Sequence, residues 1–233
     1  MNKAEFDKYA PAYDAGMDNA AKRWAGDSAQ DYLHPKLNLL LEKYVNPDNK
    51  IDYLDFGCGT GEFLSLVNAR CPHWHIEGCD ISSEMLQTCK RRWPLLNQRA
   101  RLWVADSQSF PLSKYNLITA VCVFHHIPPH ELDDCVARLI KALRPGGSLI
   151  LIEHNSWNPV TRWVVAHTEI DKNATLLSPR FARKLFKSHG LTTRRFDSFM
   201  YFPPRWKTIV KLERLFTRIP LGGQYMMEAQ RIA

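Results

Sequence analysis

Apolar and polar positions along the chain alternate between two periods, and the switches between them mark out elements. "KIDYLDF" (50–56) has strand character and runs into a cluster of glycines, after which Phe63, Leu66 and Val67 recur at helical spacing through 61–70. A short strand follows in "HIEGCD" (75–80), then a helix over 82–92 opened by a serine cap, then a strand in "ARLWVAD" (100–106). The run "YNLITAVCVF" (115–124) is almost continuously apolar, as a strand buried on both faces should be. An amphipathic helix over 129–143 is stopped by "RPGG", and a fifth strand occupies 148–154. Farther on, Ser178-Pro179 caps another helix, "TTRRFDSFMYF" and "GQYMMEAQRI" read as an antiparallel pair, and 205–219 reads as one more helix. Strands alternating with helices predict an α/β fold, a mostly parallel sheet covered on both faces, with ligands bound beyond the carboxyl ends of the strands.

The chemistry-bearing residues gather at those ends: Asp55 to Gly61, Asp80, Asp106, His125, His126, Glu153 and His154. A glycine loop between a strand and a helix lets backbone N–H groups approach a ligand, commonly a pyrophosphate. Here the spacing is Gly57-Cys58-Gly59-Thr60-Gly61, not G-x-G-x-x-G, and Asp55 and Glu62 frame it. Two carboxylates repel a diphosphate and suit a ligand with an ammonium and a second cationic centre. S-adenosylmethionine (SAM) is such a ligand, with an ammonium, a sulfonium and no phosphate. Asp80 is then placed for a ribose diol, and Asp106 for the adenine amino group.

"LDFGCGTG", "GCDIS", "ADSQSFP", "VCVFHHIP" and "LRPGGSLILIEHN", in that order across residues 51–155, resemble the class I SAM-dependent methyltransferases, specifically their broad small-molecule subgroup. The resemblance implies a Rossmann-like seven-stranded sheet with an antiparallel last strand. It implies SAM binding by Asp55, Gly57, Cys58, Gly59, Gly61, Asp80, Ile81, Asp106 and Ser107. "FDKYAPAYD" resembles the family's N-terminal cap, with Tyr13 over the sulfonium. The expected organisation is a helical cap (1–48), a SAM-binding core (49–155) and the rest of the sheet with substrate-side insertions (156–233), all in one structural domain. His126, His125 and His154 are the candidate bases for an acceptor that must lose a proton. Their alternative is loop order, and Tyr13 has packing as its own. No metal is expected. Cys122 reads as a small buried residue.

Composition sharpens the acceptor side. Residues 151–233 carry 14 Lys/Arg against 6 Asp/Glu, whereas residues 1–150 carry 17 against 18. The segment 205–219 places Trp206, Ile209, Leu212, Phe216 and Ile219 on one stripe, with Arg205, Lys207, Lys211, Arg214 and Arg218 elsewhere. Such a helix either packs on its own domain or lies on an anionic bilayer. The tail is similar to methyltransferases of bacterial surface-polysaccharide and lipid-linked sugar pathways. A small or lipid-linked acceptor, methylated at oxygen, is therefore expected, with peripheral membrane contact through 205–219. A natural-product or quinone ring methylated at nitrogen or carbon is the alternative, and a non-catalytic SAM-binding partner protein is the alternative from another class. The basic tail also raises RNA, but "FHHIPP" stands where base-modifying enzymes carry Asn/Asp-Pro-Pro-aromatic, which disfavours nucleic acid. The polar N-terminus lacks the apolar core of an export signal, and six cysteines without a C-x-x-C pair read as reduced thiols. A cytoplasmic protein, peripheral at the inner face of the membrane if the tail docks there, is the expectation.

Overall fold

The computed structural model describes residues 3–13, 30–44, 50–106, 110–203 and 206–232. The first helices are α1 (Lys3–Tyr9) and α2 (Gln30–Tyr44). The core continues as β1 (Asp52–Phe56), α3 (Glu62–Arg70), β2 (His75–Asp80), α4 (Ser83–Arg92), α5 (Pro94–Arg99) and β3 (Arg101–Val104). Then come β4 (Tyr115–Val121), α6 (Leu132–Ala142), β5 (Leu143–His154), α7 (Pro159–Ala166) and α8 (Pro179–Ser188). The chain closes with β6 (Leu191–Phe199), a single α-turn α9 (Lys207–Val210) and β7 (Gln224–Arg231).

The seven strands form one sheet in the order β3-β2-β1-β4-β5-β7-β6. All pairs from β3 to β5 are parallel, and β7 is antiparallel to both β5 and β6. This is the expected Rossmann-like sheet, with its antiparallel member inserted next to last in space. Strand alternation divides the core between two faces. Leu54, Ile118, Leu149, Leu151 and Met227 pack against Leu132, Val136 and Leu139 of α6 and Ala182, Leu185 and Phe186 of α8. Tyr53, Leu117, Ile150, Ile152 and Met226 pack on the other side, against Leu37 and Leu40 of α2 and Phe63, Leu64 and Val67 of α3. The helix α2 is also tied to the sheet by charge: the buried Glu228 of β7 accepts hydrogen bonds from Tyr44 (2.7 Å) and Ser148 (2.9 Å) and pairs with Lys43.

Several expectations change. The "RPGG" expected between helix and strand lies within β5, which begins at Leu143 and pairs with Tyr115 ahead of a register shift. The strand expected over 115–124 ends at Val121, because Cys122 takes a positive φ of 56° and the chain turns into a 3-10 segment, Phe124–His126. Cys122 itself is only partly buried. The expected helix over 205–219 is broken: α9 covers one turn, 3-10 geometry follows over Lys211–Leu215, and irregular chain leads to β7. Tertiary hydrogen bonds anchor the segment in this course. The Tyr201 hydroxyl bonds the carbonyls of Phe216 (2.6 Å) and Ile219, and the Ser198 N–H takes that of Thr217 (2.6 Å). Glu213, the acid among the basic residues, accepts from the N–H groups of Met200 (3.1 Å) and Phe202 (2.8 Å), pinning this segment to the end of β6. Among the described residues no helix is long and apolar enough to cross a membrane.

Candidate active site

The strand order reverses between β1 and β4, and the crevice outside their carboxyl ends is where ligands bind in such sheets. One cavity opens there. Its floor is the loop after β1, anchored to the neighbouring strand because the N–H groups of Gly57 (2.8 Å) and Cys58 (3.0 Å) both donate to the Cys79 carbonyl. Gly57, Gly59 and Gly61 all have positive φ. At Gly57 a Cβ would come within 2.5 Å of the Val123 side chain, so the loop can lie against the turn that follows β4 only with glycine there. Gly59 instead has nothing within 4 Å of a Cβ, and its face opens to the cavity.

Two carboxylates stand beside this loop. Asp55 is buried and accepts from the Thr119 hydroxyl at 2.8 Å. Burial, reinforced by the charge of Asp80, pushes its pKa up to about 7. Asp80 accepts from the N–H of Gly59 and that of Ser82, both at 2.9 Å. Burial raises its pKa too, against the pull of these backbone donors. Ser82 is the N-cap of α4, as its sequence position predicts, and donates to Asp7 of α1 at 2.6 Å. Glu62 receives the Thr60 hydroxyl (2.8 Å) and pairs with Arg92.

The opposite end of the cavity is built from β4, β5, β7 and the segment after α7. Glu153, fully buried, accepts the Val123 (3.1 Å) and Phe124 (2.7 Å) N–H groups on one oxygen and His125 Nδ1 (2.5 Å) on the other. His125 Nε2 lies 3.5 Å from Asp171, and His126 Nε2 lies 3.4 Å from the same oxygen. Burial opposes charge on His125, but Glu153 and Asp171 outweigh it and hold the imidazole well above its ordinary range. Burial and the charge of His125 push His126 the other way. His154 lies with its ring centre 5.2 Å from that of His125, and its Nδ1 is 3.3 Å from Gln224 Nε2. Lys36, buried on α2, donates to Cys122 Sγ at 3.4 Å. Burial pushes the Cys122 thiol up, but Lys36 and His154 more than offset it and bring it down to about 7.

Of the residues singled out in the sequence, Tyr13, Asp55, Gly57, Cys58, Gly59, Asp80, His125, His126 and His154 line this cavity together. Gly61 stands behind the loop, where a Cβ would meet Cys89 Sγ at 2.3 Å. Ile81 and Asp106 are not among the lining residues: Asp106 is exposed two positions past the end of β3. Ser107 lies outside the described residues. Lys36, Cys122, Asp171 and Gln224 also line the cavity and were not singled out as site residues. Asp171 comes from a non-periodic insertion and Lys36 from an ordinary amphipathic helix. Only tertiary structure brings them in.

Comparison with known proteins agrees with this architecture. Residues 54–147 match the family described as methyltransferase domain. The chain is 28% identical over 149 residues to malonyl-[acyl-carrier protein] O-methyltransferase of Priestia megaterium, covering 64% of this chain and 49% of that protein. It is 31% identical over 106 residues to trans-aconitate 2-methyltransferase of Azoarcus sp., covering 45% of this chain and 39% of that protein. The chain thus spans about half or less of these two relatives. Among solved structures, geranyl diphosphate C-methyltransferase of Streptomyces coelicolor A3(2), in complex with Mg2+, geranyl diphosphate and S-adenosyl-L-homocysteine, superposes with a TM-score of 0.64 at 18% identity, covering 85% of this chain and 80% of that one. None of the three is named for a surface-polysaccharide pathway.

Proposed function

With residues 54–147 matching a methyltransferase domain, we propose that the chain is a class I SAM-dependent methyltransferase that moves the methyl group of SAM to an oxygen of a small acceptor with acidic character. One observation carries this reading: a single cavity joins the acid-framed glycine loop to a pole of imidazoles and a buried lysine. At the first pole Asp80 takes the ribose hydroxyls and Asp55 the cofactor's ammonium, with Tyr13 closing over the sulfonium. That orientation points the methyl group at His126, His154 and Lys36.

The reaction is a displacement at carbon. The acceptor oxygen forms its bond to the methyl group as the sulfonium's bond breaks, and the cofactor leaves as neutral S-adenosylhomocysteine. Alignment supplies much of the acceleration, up to ~7 to 11 kcal/mol in the best-positioned cases. His125 has both ring nitrogens engaged and serves to order the loop. His126 and His154 are the imidazoles available to take a proton from an acceptor hydroxyl. Lys36 offers a buried ammonium to an anionic acceptor, in keeping with the acids after which the two relatives are named.

A lipid-linked acceptor is the second reading, favoured by the surface beside β7. Trp206, Leu212, Leu215, Ile219 and Leu221 are exposed there, and so are Trp157 and Trp163. Asn158 bonds the Leu221 carbonyl (2.8 Å) and brings the two groups side by side. Incubation with methyl-labelled SAM and a panel of hydroxy acids, carboxylic acids, phenols and lipid-linked sugars tests both readings. Labelled product from the first group supports the small acceptor, and from the last the lipid-linked one. Cofactor binding without S-adenosylhomocysteine release on any acceptor would support a non-catalytic SAM-binding protein.

A further inference from the structure

We propose that His125, His126 and Asp171 form a binding site for a divalent first-row transition cation at the acceptor pole of the cavity. His125 Nε2, His126 Nε2 and a carboxylate oxygen of Asp171 lie within 4.8 Å of one another, with each nitrogen 3.4–3.5 Å from that oxygen. Donors about 2.0–2.2 Å from a common tetrahedral ion are separated by roughly 3.5 Å. Both nitrogen–oxygen edges already have that length, so closing on an ion requires the two nitrogens, within 4.8 Å of each other, to settle at the same spacing and His125 to give up its Nε2 proton.

The surroundings are those of a ligand set. His125 carries a buried carboxylate on its other nitrogen, and Glu153 is itself fixed by two backbone N–H groups. Such a carboxylate orients a metal-binding imidazole and leaves Nε2 as the ligating atom. The two segments that supply the donors are held in register by the Thr175 N–H, which bonds the His125 carbonyl at 2.7 Å. The His126 ring is set by an edge contact with Phe6, ring centres 5.1 Å apart. All three residues line the cavity, so an ion held between them would keep open positions toward the acceptor, the pattern of catalytic rather than closed structural sites. Two imidazoles and one carboxylate suit Zn2+, Fe2+, Co2+ or Mn2+ better than Mg2+ or Ca2+, which prefer all-oxygen shells.

The ion's part in transfer rests on the methyl-transfer reading above, whereas the site itself does not. An acceptor hydroxyl bound at an open position gives its proton to His154, the cavity imidazole left outside the ligand set, before its oxygen attacks the methyl carbon.

Metal uptake by chelator-stripped full-length protein tests the site directly. Titration with Co2+ should give visible d–d bands that saturate at about one equivalent, and Zn2+ should displace them. Asp171→Ala and His126→Ala should abolish the bands while S-adenosylhomocysteine binding, measured by calorimetry, stays intact. Glu153→Gln should weaken Co2+ binding by about 10- to 100-fold. His189→Ala, in an exposed pair with Asp133, should change nothing. The proposal is overturned if wild-type protein binds S-adenosylhomocysteine but takes up neither Co2+ nor Zn2+, or if Asp171→Ala keeps wild-type metal affinity. Metal binding without cofactor binding would instead overturn the methyl-transfer reading and leave this one standing.

Discussion

Glu153 holds the Nδ1 of His125 at 2.5 Å, and both side chains are buried. The pair is the hinge between core and cavity, since the same carboxylate receives the N–H groups of the turn that follows β4. Removing either partner leaves a buried, unpaired polar group, which costs ~1–3 kcal/mol and more when charged. His125→Ala should therefore lower thermal stability, detected as an earlier melting transition. His126→Ala and His154→Ala should each leave the melt and S-adenosylhomocysteine affinity nearly unchanged while cutting turnover ~10²-fold. Turnover that survives both substitutions would remove imidazoles from the chemistry.

Cofactor selectivity follows from the acids beside the glycine loop. Calorimetry should show binding of SAM and S-adenosylhomocysteine and none of NAD. Asp80→Ala should weaken the former by ~1 to 3 kcal/mol through loss of a charge-assisted hydrogen bond. An unaffected variant would disconnect Asp80 from the ribose.

The pH dependence of binding isolates Asp55. Its pKa of about 7 lies above the ~3.9 of an unfolded aspartate, so its contribution to stability is complete below pH ~4 and is lost as pH rises through 7. Cofactor affinity should run the opposite way, because the ionised carboxylate is the form that attracts an ammonium. Below pH 7 each unit should cost up to ~10-fold in affinity. Asp55→Asn should flatten that profile, and a slope unchanged in the variant would assign the titration elsewhere.

Glycine substitutions separate packing from ligand approach. Gly57→Ala places a methyl group against Val123 at a backbone angle alanine disfavours, and should unfold the loop or the protein. Gly59→Ala meets no neighbour, so its stability cost should stay near the ~1–2 kcal/mol of a left-handed alanine. Its larger effect should fall on cofactor affinity. Equal melting temperatures for the two variants would refute the distinction.

Vesicle co-sedimentation tests the exposed apolar surface. Trp206→Ser with Leu212→Ser and Leu215→Ser should abolish binding to anionic vesicles and leave S-adenosylhomocysteine affinity intact. Wild-type protein that ignores vesicles would favour a freely diffusing acceptor.

The parts of this site written in local pattern were legible without the structure. Gly57, Gly59, Asp55 and Asp80 sit at strand ends that period and turn chemistry identify, and the serine caps of α4 and α8 fall where the sequence puts them. Legibility ended where contacts are long-range. Asp171 reaches His126 from 45 positions away, and Lys36 meets Cys122 across 86, separations at which no periodicity speaks. The segment after β6 misled for the same reason. Its helical spacing is real, but bonds from Tyr201 and Ser198 and to the Glu213 carboxylate tie it to the end of β6, long-range contacts that spacing does not encode.

The insertion of β7 between β5 and β6 also sets an order of assembly. As the chain emerges during synthesis, β1 to β5 and the glycine loop are complete long before residues 224–231 appear. Until then the β5 edge has no partner, and Gln224 is missing from the acceptor pole. Closing the sheet requires a hairpin to dock across a long sequence separation, a slow step during which an apolar strand edge stays exposed. A nascent chain at that stage has its glycine-loop pole in place and its acceptor pole open, so on the proposed reading it would bind cofactor before it could select an acceptor.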